Sequence, residues 1–262
     1  MDEQSLSEFE RGIAAYFDRL APSYGQGVYY ARRRSTLIGR MEPELRPGAS
    51  VLDLGCGNGT YLAAFGILEN VGSLHGIDLS LEMVREAKRR MAGRAHLVQA
   101  EVCALPYRAQ SFDLVLASHV LPFAYELGLA VLDIARVLKP GGLLVATLGG
   151  GSARGALRAL MAPEQWAEFE KSAFDHSLTR RIDRGPERYL AAGRAAGLQV
   201  ETQTLTFRLT WRDVAEWLRI RWVGIASGRE IAQRIADEVL APRLDQEVEV
   251  RQSVMLARKP VG

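Results

Sequence analysis

Cysteine and histidine are scarce in this 262-residue chain, at two and four residues, and no apolar run approaches 18 residues. Cys56 and Cys103 stand in no paired spacing. That excludes a disulfide framework and argues against a Cys/His metal site, so no metal is expected. Without a long apolar run there is no membrane-spanning helix to place. The first ten residues, M-D-E-Q-S-L-S-E-F-E, are acidic and polar and lack the apolar centre of a signal peptide. A cytoplasmic protein is expected. Net charge is small, +2 from 33 basic and 31 acidic residues, and calls for neither a nucleic acid nor a membrane partner. One dense basic run stands out, Arg32-Arg33-Arg34. It reads either as a solvated helix face or as a patch for an anionic substrate.

Apolar residues are plentiful, at 48% of the chain, which is enough for a proper core. They recur in short β-rich runs at 50–54, 73–78, 95–99, 112–118 and 143–148. Between these, residues 81–91 and 124–138 carry apolar side chains at three-to-four spacing, the pattern of amphipathic helices. Strands alternating with helices predict a parallel sheet covered on both faces. Two helices, 6–20 and about 31–45, precede the first strand. Residues 149–197 read as helical and polar, opened by Gly149-Gly150-Gly151 and interrupted at Gly185-Pro186. Late strands follow near 198–209 and 247–257, with helices around 211–221 and 229–240 between them.

The stretch V-L-D-L-G-C-G-N-G-T (51–60) places Gly55, Gly57 and Gly59 where a strand hands over to a helix. Glycine reaches positive φ without strain and lets the backbone approach a ligand. In an open α/β sheet this turn lies at the carboxyl ends of the strands, where ligands bind. A dinucleotide pattern Gly-x-Gly-x-x-Gly would need glycine at position 60, which is Thr. The second strand ends at Asp78, whose carboxylate can take a ribose diol of a nicotinamide or an adenosyl cofactor alike. Asp78 could instead cap the next helix, but Ser80 is the better cap.

Further motifs narrow the choice. V-L-D-L-G-C-G-N-G (51–59), G-I-D-L-S (76–80), Glu101 four residues ahead of L-P-Y (105–107), S-F-D-L-V (111–115) and R-V-L-K-P-G-G (136–142) occur in that order. Over residues 45–150 the chain resembles the class I S-adenosylmethionine-dependent methyltransferases of the small-molecule branch. Y-F-D-R-L-A-P-S-Y (16–24) is similar to the segment ahead of the glycine motif in quinone-ring C-methyltransferases.

The resemblance implies a Rossmann-like α/β sheet of seven strands, order 3-2-1-4-5-7-6, the last antiparallel, with helices on both faces. It implies S-adenosylmethionine as cofactor and S-adenosylhomocysteine as product. By position, Gly55, Cys56 and Gly57 would line the methionine moiety, with Tyr24 near it and Asp53 facing its ammonium. Asp78 would take the ribose hydroxyls, and Leu79 and Met83 would flank the adenine. Glu101, where the family usually has Asp, would accept from the adenine amino group beside the Val102 N–H. Ser118 and His119 would border the methyl group and the acceptor, His119 as a base or as pocket wall. Lys139-Pro140-Gly141-Gly142 would be a structural turn.

The expected organisation is a helical lid (1–47), a cofactor-binding core (48–148), a helical cap (149–197) and a C-terminal completion of the sheet (198–262). The acceptor is expected to be a small molecule, of secondary-metabolite or quinone-like type, with its carbon, oxygen or nitrogen atom left open. Trp211, Val214, Ala215, Leu218 and Trp222 share one helical face. They read as core, or as the floor of the acceptor pocket with Trp166, Phe169 and Phe174. His176 reads as surface. A nicotinamide-dependent oxidoreductase and a non-catalytic S-adenosylmethionine-binding protein are the rival readings.

Overall fold

Strands β1 (Ala49–Leu54) and β4 (Phe112–Ala117) and the Leu143–Ala146 stretch of β5 (Leu138–Thr147) are largely apolar because helices cover both faces of their sheet. The computed structural model describes residues 8–148, 153–172, 185–221 and 226–261. With β2 (Val71–Asp78), β3 (His96–Gln99), β6 (Gln199–Thr210) and β7 (Glu247–Arg258), the sheet has seven strands in the order 3-2-1-4-5-7-6. β7 runs antiparallel to both β5 and β6, and the pairs from β3 to β5 are parallel. Every strand run expected from the sequence forms a strand.

Successive side chains divide between two cores, as the period of a strand requires. Leu52, Val115, Leu144 and Met255 face one side, under α5 (Leu127–Val137) and α8 (Pro186–Ala195). Val51, Leu114, Val145 and Val254 face the other, under α2 (Val28–Met41), α3 (Thr60–Phe65) and α4 (Leu81–Met91). Pro186 opens α8 at its first turn, where a missing N–H costs nothing. The helix expected over 124–138 begins later. Pro122 lies in a separate 3₁₀ turn, Leu121–Phe123, and Ala124 is extended. Lys139–Gly142 loops out of β5, since Phe112 pairs with Leu138 and Leu114 with Leu143.

β7 pairs with β5 only over Val254–Arg258, so the far half of the β6–β7 hairpin projects beyond the sheet. A third core forms there from α6 (Ala153–Arg158), α7 (Pro163–Ser172), α9 (Trp211–Arg221) and α10 (Ala226–Arg234), which widens into a π-helical turn, Ile235–Leu240. Trp211, Val214, Ala215, Leu218, Trp166 and Phe169 are buried in this core, together with Tyr29 and Tyr30 of α2. The core reading of the tryptophan stripe therefore holds, and none of these side chains lines the main cleft. Phe174, His176, Trp222 and the Gly149–Gly151 run lie outside the described residues.

Candidate functional site

The turn after β1 sits at the carboxyl edge of the sheet, and its three glycines all have positive φ, of 62°, 53° and 79° at Gly55, Gly57 and Gly59. A Cβ on Gly55 would lie 2.7 Å from Val120 Cγ2, and one on Gly57 would lie 3.3 Å from the Tyr24 ring. Gly59 serves packing instead, because its Cβ would meet Ala87 of α4 at 3.2 Å. Arg90 Nε donates to the Asn58 carbonyl at 2.8 Å, and Asn58 Nδ2 donates to the Tyr24 carbonyl at 2.7 Å. The turn is thus tied to α4 on one side and to the loop after α1 (Glu8–Leu20) on the other.

This turn, the tips of β2 and β4 and the helix α1 line a cleft whose empty space of about 710 Å³ includes open solvent. Tyr24, Gly55, Gly57, Asp78, Leu79, Met83, Glu101, Val102, Ser118 and His119 all line it. Asp53 does not; it lies in β1, 1% exposed, with neither carboxylate oxygen hydrogen-bonded among the described residues. Cys56 lines a smaller neighbouring pocket.

Charge at this edge is strained. Burial holds the Asp53 carboxyl well above the usual carboxylate range, and the charge of Asp78 adds to the effect. Burial also pushes Asp78 up to about 6, although the N–H groups of Ser80 and Gly57 donate to it at 2.9 and 2.8 Å. Ser80, not Asp78, caps α4, with its Oγ accepting from the Met83 N–H at 3.1 Å. Burial raises Glu101 as well, and Glu10 of α1 shares a hydrogen bond with it. His119 has φ +59°, rare for a non-glycine residue, and its N–H donates to Thr147 Oγ1 at 2.7 Å. His119 lines the cleft at the end of β4.

Sequence reasoning missed several cleft residues. Glu10, Ile13, Ala14 and Phe17 come from α1, and Asp18 at its end accepts from the Ser80 hydroxyl and, at 3.2 Å, from the Glu82 N–H. The 3.6-residue spacing of Ile13, Ala14 and Phe17 was legible, but not which surface they cover. Of the basic run, Arg32 is exposed, whereas Arg33 is buried, so a solvated face describes only part of it. Among the described residues, no cluster of three or more His, Cys, Asp or Glu could hold a metal ion, and no helix is long and apolar enough to cross a membrane.

A sheet of this order, with a glycine turn and a strand-tip carboxylate facing one cleft, defines a Rossmann-like cofactor-binding protein. A family model described as a methyltransferase domain matches residues 52–146. A malonyl-[acyl-carrier protein] O-methyltransferase of Halorhodospira halophila is 32% identical over 212 residues, covering 79% of this chain and 68% of that one. One of the same name from Pseudescherichia vulneris is 36% identical over 145 residues, covering 55% and 56%. The chain spans little more than half the length of the latter. The crystal structure of the [4+2]-cyclase SpnF superposes with a TM-score of 0.65 at 21% identity, covering 97% of both chains, which speaks to the fold alone. The chain belongs to the class I S-adenosylmethionine-dependent methyltransferases. That membership removes the nicotinamide-dependent alternative.

Proposed function

We propose that the protein transfers the methyl group of S-adenosylmethionine to a small, acyl- or ring-bearing acceptor, releasing S-adenosylhomocysteine. Asp53 carries the reading: a fully buried carboxylate, two residues ahead of Gly55, with both oxygens unpartnered among the described residues. Such a group is costly until a cation completes it, and the cofactor's ammonium is a cation of the right kind. Gly55 and Gly57 line the cleft beside it and carry no side chain there, which suits the methionine chain.

When bound, S-adenosylmethionine supplies a methyl group already activated on a sulfonium. The chain's part is to hold, orient and dry the site. Asp53 receives the ammonium, Gly55, Cys56 and Gly57 line the methionine chain, and Asp78 takes the ribose hydroxyls. Leu79 and Met83 flank the adenine, and Glu101 and the Val102 N–H meet its edge. Ser118 and His119 border the acceptor, and His119 is placed to take a proton where the acceptor must lose one. Residues 1–47, with Tyr24, form the lid, 48–148 the cofactor core, 149–197 a cap and 198–262 the completion of the sheet. The relatives named for a malonyl group on a carrier protein support an acyl-bearing acceptor over a quinone ring.

The test is the melting temperature with S-adenosylhomocysteine, NAD or NADP. At 100 times its dissociation constant a ligand adds roughly 2.7 kcal/mol, or about 5–10 °C for a chain of this size. A rise with S-adenosylhomocysteine alone is expected; a rise only with a nicotinamide would sink the reading. Asp78→Ala is expected to weaken S-adenosylhomocysteine binding by about 1.5–3 kcal/mol, the range for hydrogen bonds to a charged group. Wild-type affinity should also fall as pH drops from 7 to 5, because Asp78 titrates near 6 and must be ionised to accept both hydroxyls. Calorimetric titration across that range checks both; unchanged affinity in Asp78→Ala would leave Asp78 to the Gly57 turn alone.

A further inference from the structure

Glu10, Asp78 and Glu101 line the cofactor cleft, and among the described residues no lysine or arginine does. Hydrogen-bond donors for these carboxyls must therefore come with the ligand. Glu10 stands in the first turn of α1, 6% exposed, and shares a hydrogen bond with Glu101 in the loop after β3. Two carboxyls share a hydrogen bond only while one of them holds a proton. Burial raises the Glu101 carboxyl, the Cys103 thiol at hydrogen-bond reach lowers it in part, and the charge of Glu10 raises it again. Ile13 and Ala14, one turn along α1, and Ala100, next to Glu101, give the wall beside the pair an apolar surface.

Two adjacent acceptors against an apolar wall suit a flat ring that carries two N–H bonds on one nitrogen. The exocyclic amine of a purine is such a group. We infer that Glu10 is the second acceptor for the 6-amino group of the cofactor's adenine, taking the hydrogen that Glu101 leaves. The inference rests on the methyl-transfer reading, which puts the adenine edge at Glu101, and is independent of the acceptor. The first helix then reads the base itself. The base in turn fastens one end of α1, while Asp18 at the other end is held by the Ser80 hydroxyl and the Glu82 N–H.

The experiment is calorimetric titration of the full chain at pH 8, above the value near which Asp78 titrates, as wild type, Glu10→Ala, Glu10→Leu and Glu10→Gln. The probes are S-adenosylhomocysteine, 5′-methylthioadenosine and its N6-methyl derivative, whose amine keeps a single hydrogen. Glu10→Ala and Glu10→Leu are expected to bind 5′-methylthioadenosine at least about tenfold more weakly than the wild type does. Glu10→Gln, whose amide oxygen still accepts, should bind it as the wild type does. N6-methylation should weaken binding to the wild type by a similar factor and change little in Glu10→Ala, as for two groups that interact directly. Leucine keeps the bulk of glutamate without an acceptor, so Glu10→Leu at wild-type affinity would make the role steric and overturn the proposal. A methylation penalty of equal size in wild type and Glu10→Ala would overturn it too, as would a Glu10→Gln as weak as Glu10→Ala. Should Glu10→Ala fail to fold, the same comparisons on Glu10→Leu decide. Any of these adverse results with S-adenosylhomocysteine still bound by the wild type removes Glu10 alone; no binding of any probe by the wild type would remove the methyl-transfer reading with it.

Discussion

At pH 8, Asp53→Asn is expected to melt above the ligand-free wild type while binding S-adenosylhomocysteine more weakly. The side chain is 1% exposed and its oxygens lack partners among the described residues, so ionising it costs the folded state more than the unfolded one. Its folded pKa lies well above 3.8, with burial the main cause. Between those two values the folded state holds more protons, so wild-type stability falls as pH rises through that window. Asparagine has no proton to lose and escapes the fall. The variant's melting temperature at pH 8 should therefore lie above that of the ligand-free wild type. The gain should shrink toward zero at pH 4, where both proteins are neutral at this position. Paired melting curves at pH 4 and 8 would show it. A variant less stable at pH 8 would mean that the carboxylate is satisfied without ligand, and its assignment to the ammonium would fall.

Gly55→Ala is expected to be the most damaging single methyl in the cleft. The backbone there has φ +62°, and the new Cβ would lie 2.7 Å from Val120 Cγ2 and 2.8 Å from Val120 Cβ. Left-handed strain costs roughly 1–2 kcal/mol for a residue with a Cβ, and overpacking adds about 1–3 kcal/mol. A loss of about 2–5 kcal/mol on denaturant unfolding should accompany loss of measurable S-adenosylhomocysteine binding. Val120→Gly in the same chain removes both close contacts but not the strain, so, measured against Val120→Gly alone, part of the stability should return. No recovery in the double variant would place the damage in the backbone rather than in the contact with Val120.

Much of this was legible because the signals are local. The runs at 50–54, 112–118 and 143–148 are strands wherever they fold, since continuous apolar residues bounded by turns suit a sheet covered on both sides. The glycine turn and Asp78 announce a ligand through backbone geometry and strand position, which sequence spacing carries. The first helix was harder. Ile13, Ala14 and Phe17 make α1 amphipathic, but only the folded chain shows that their stripe lines the cleft, with Glu10 against Glu101 and Asp18 at the N-terminus of α4.

Order, direction and cofactor class therefore follow from the sequence alone, through periodicity, turn residues and a motif set that resembles one family. Tertiary structure decided what three adjacent arginines could not reveal: Arg32 is solvated, while Arg33 is buried against two tyrosines beside the glycine turn. It also decided that Trp166, Phe169 and Trp211 fill a separate core on the overhanging end of the β6–β7 hairpin instead of flooring the cleft. The reason is common to both. Which face of a helix is buried depends on the element packed against it, and that element lies far away in sequence.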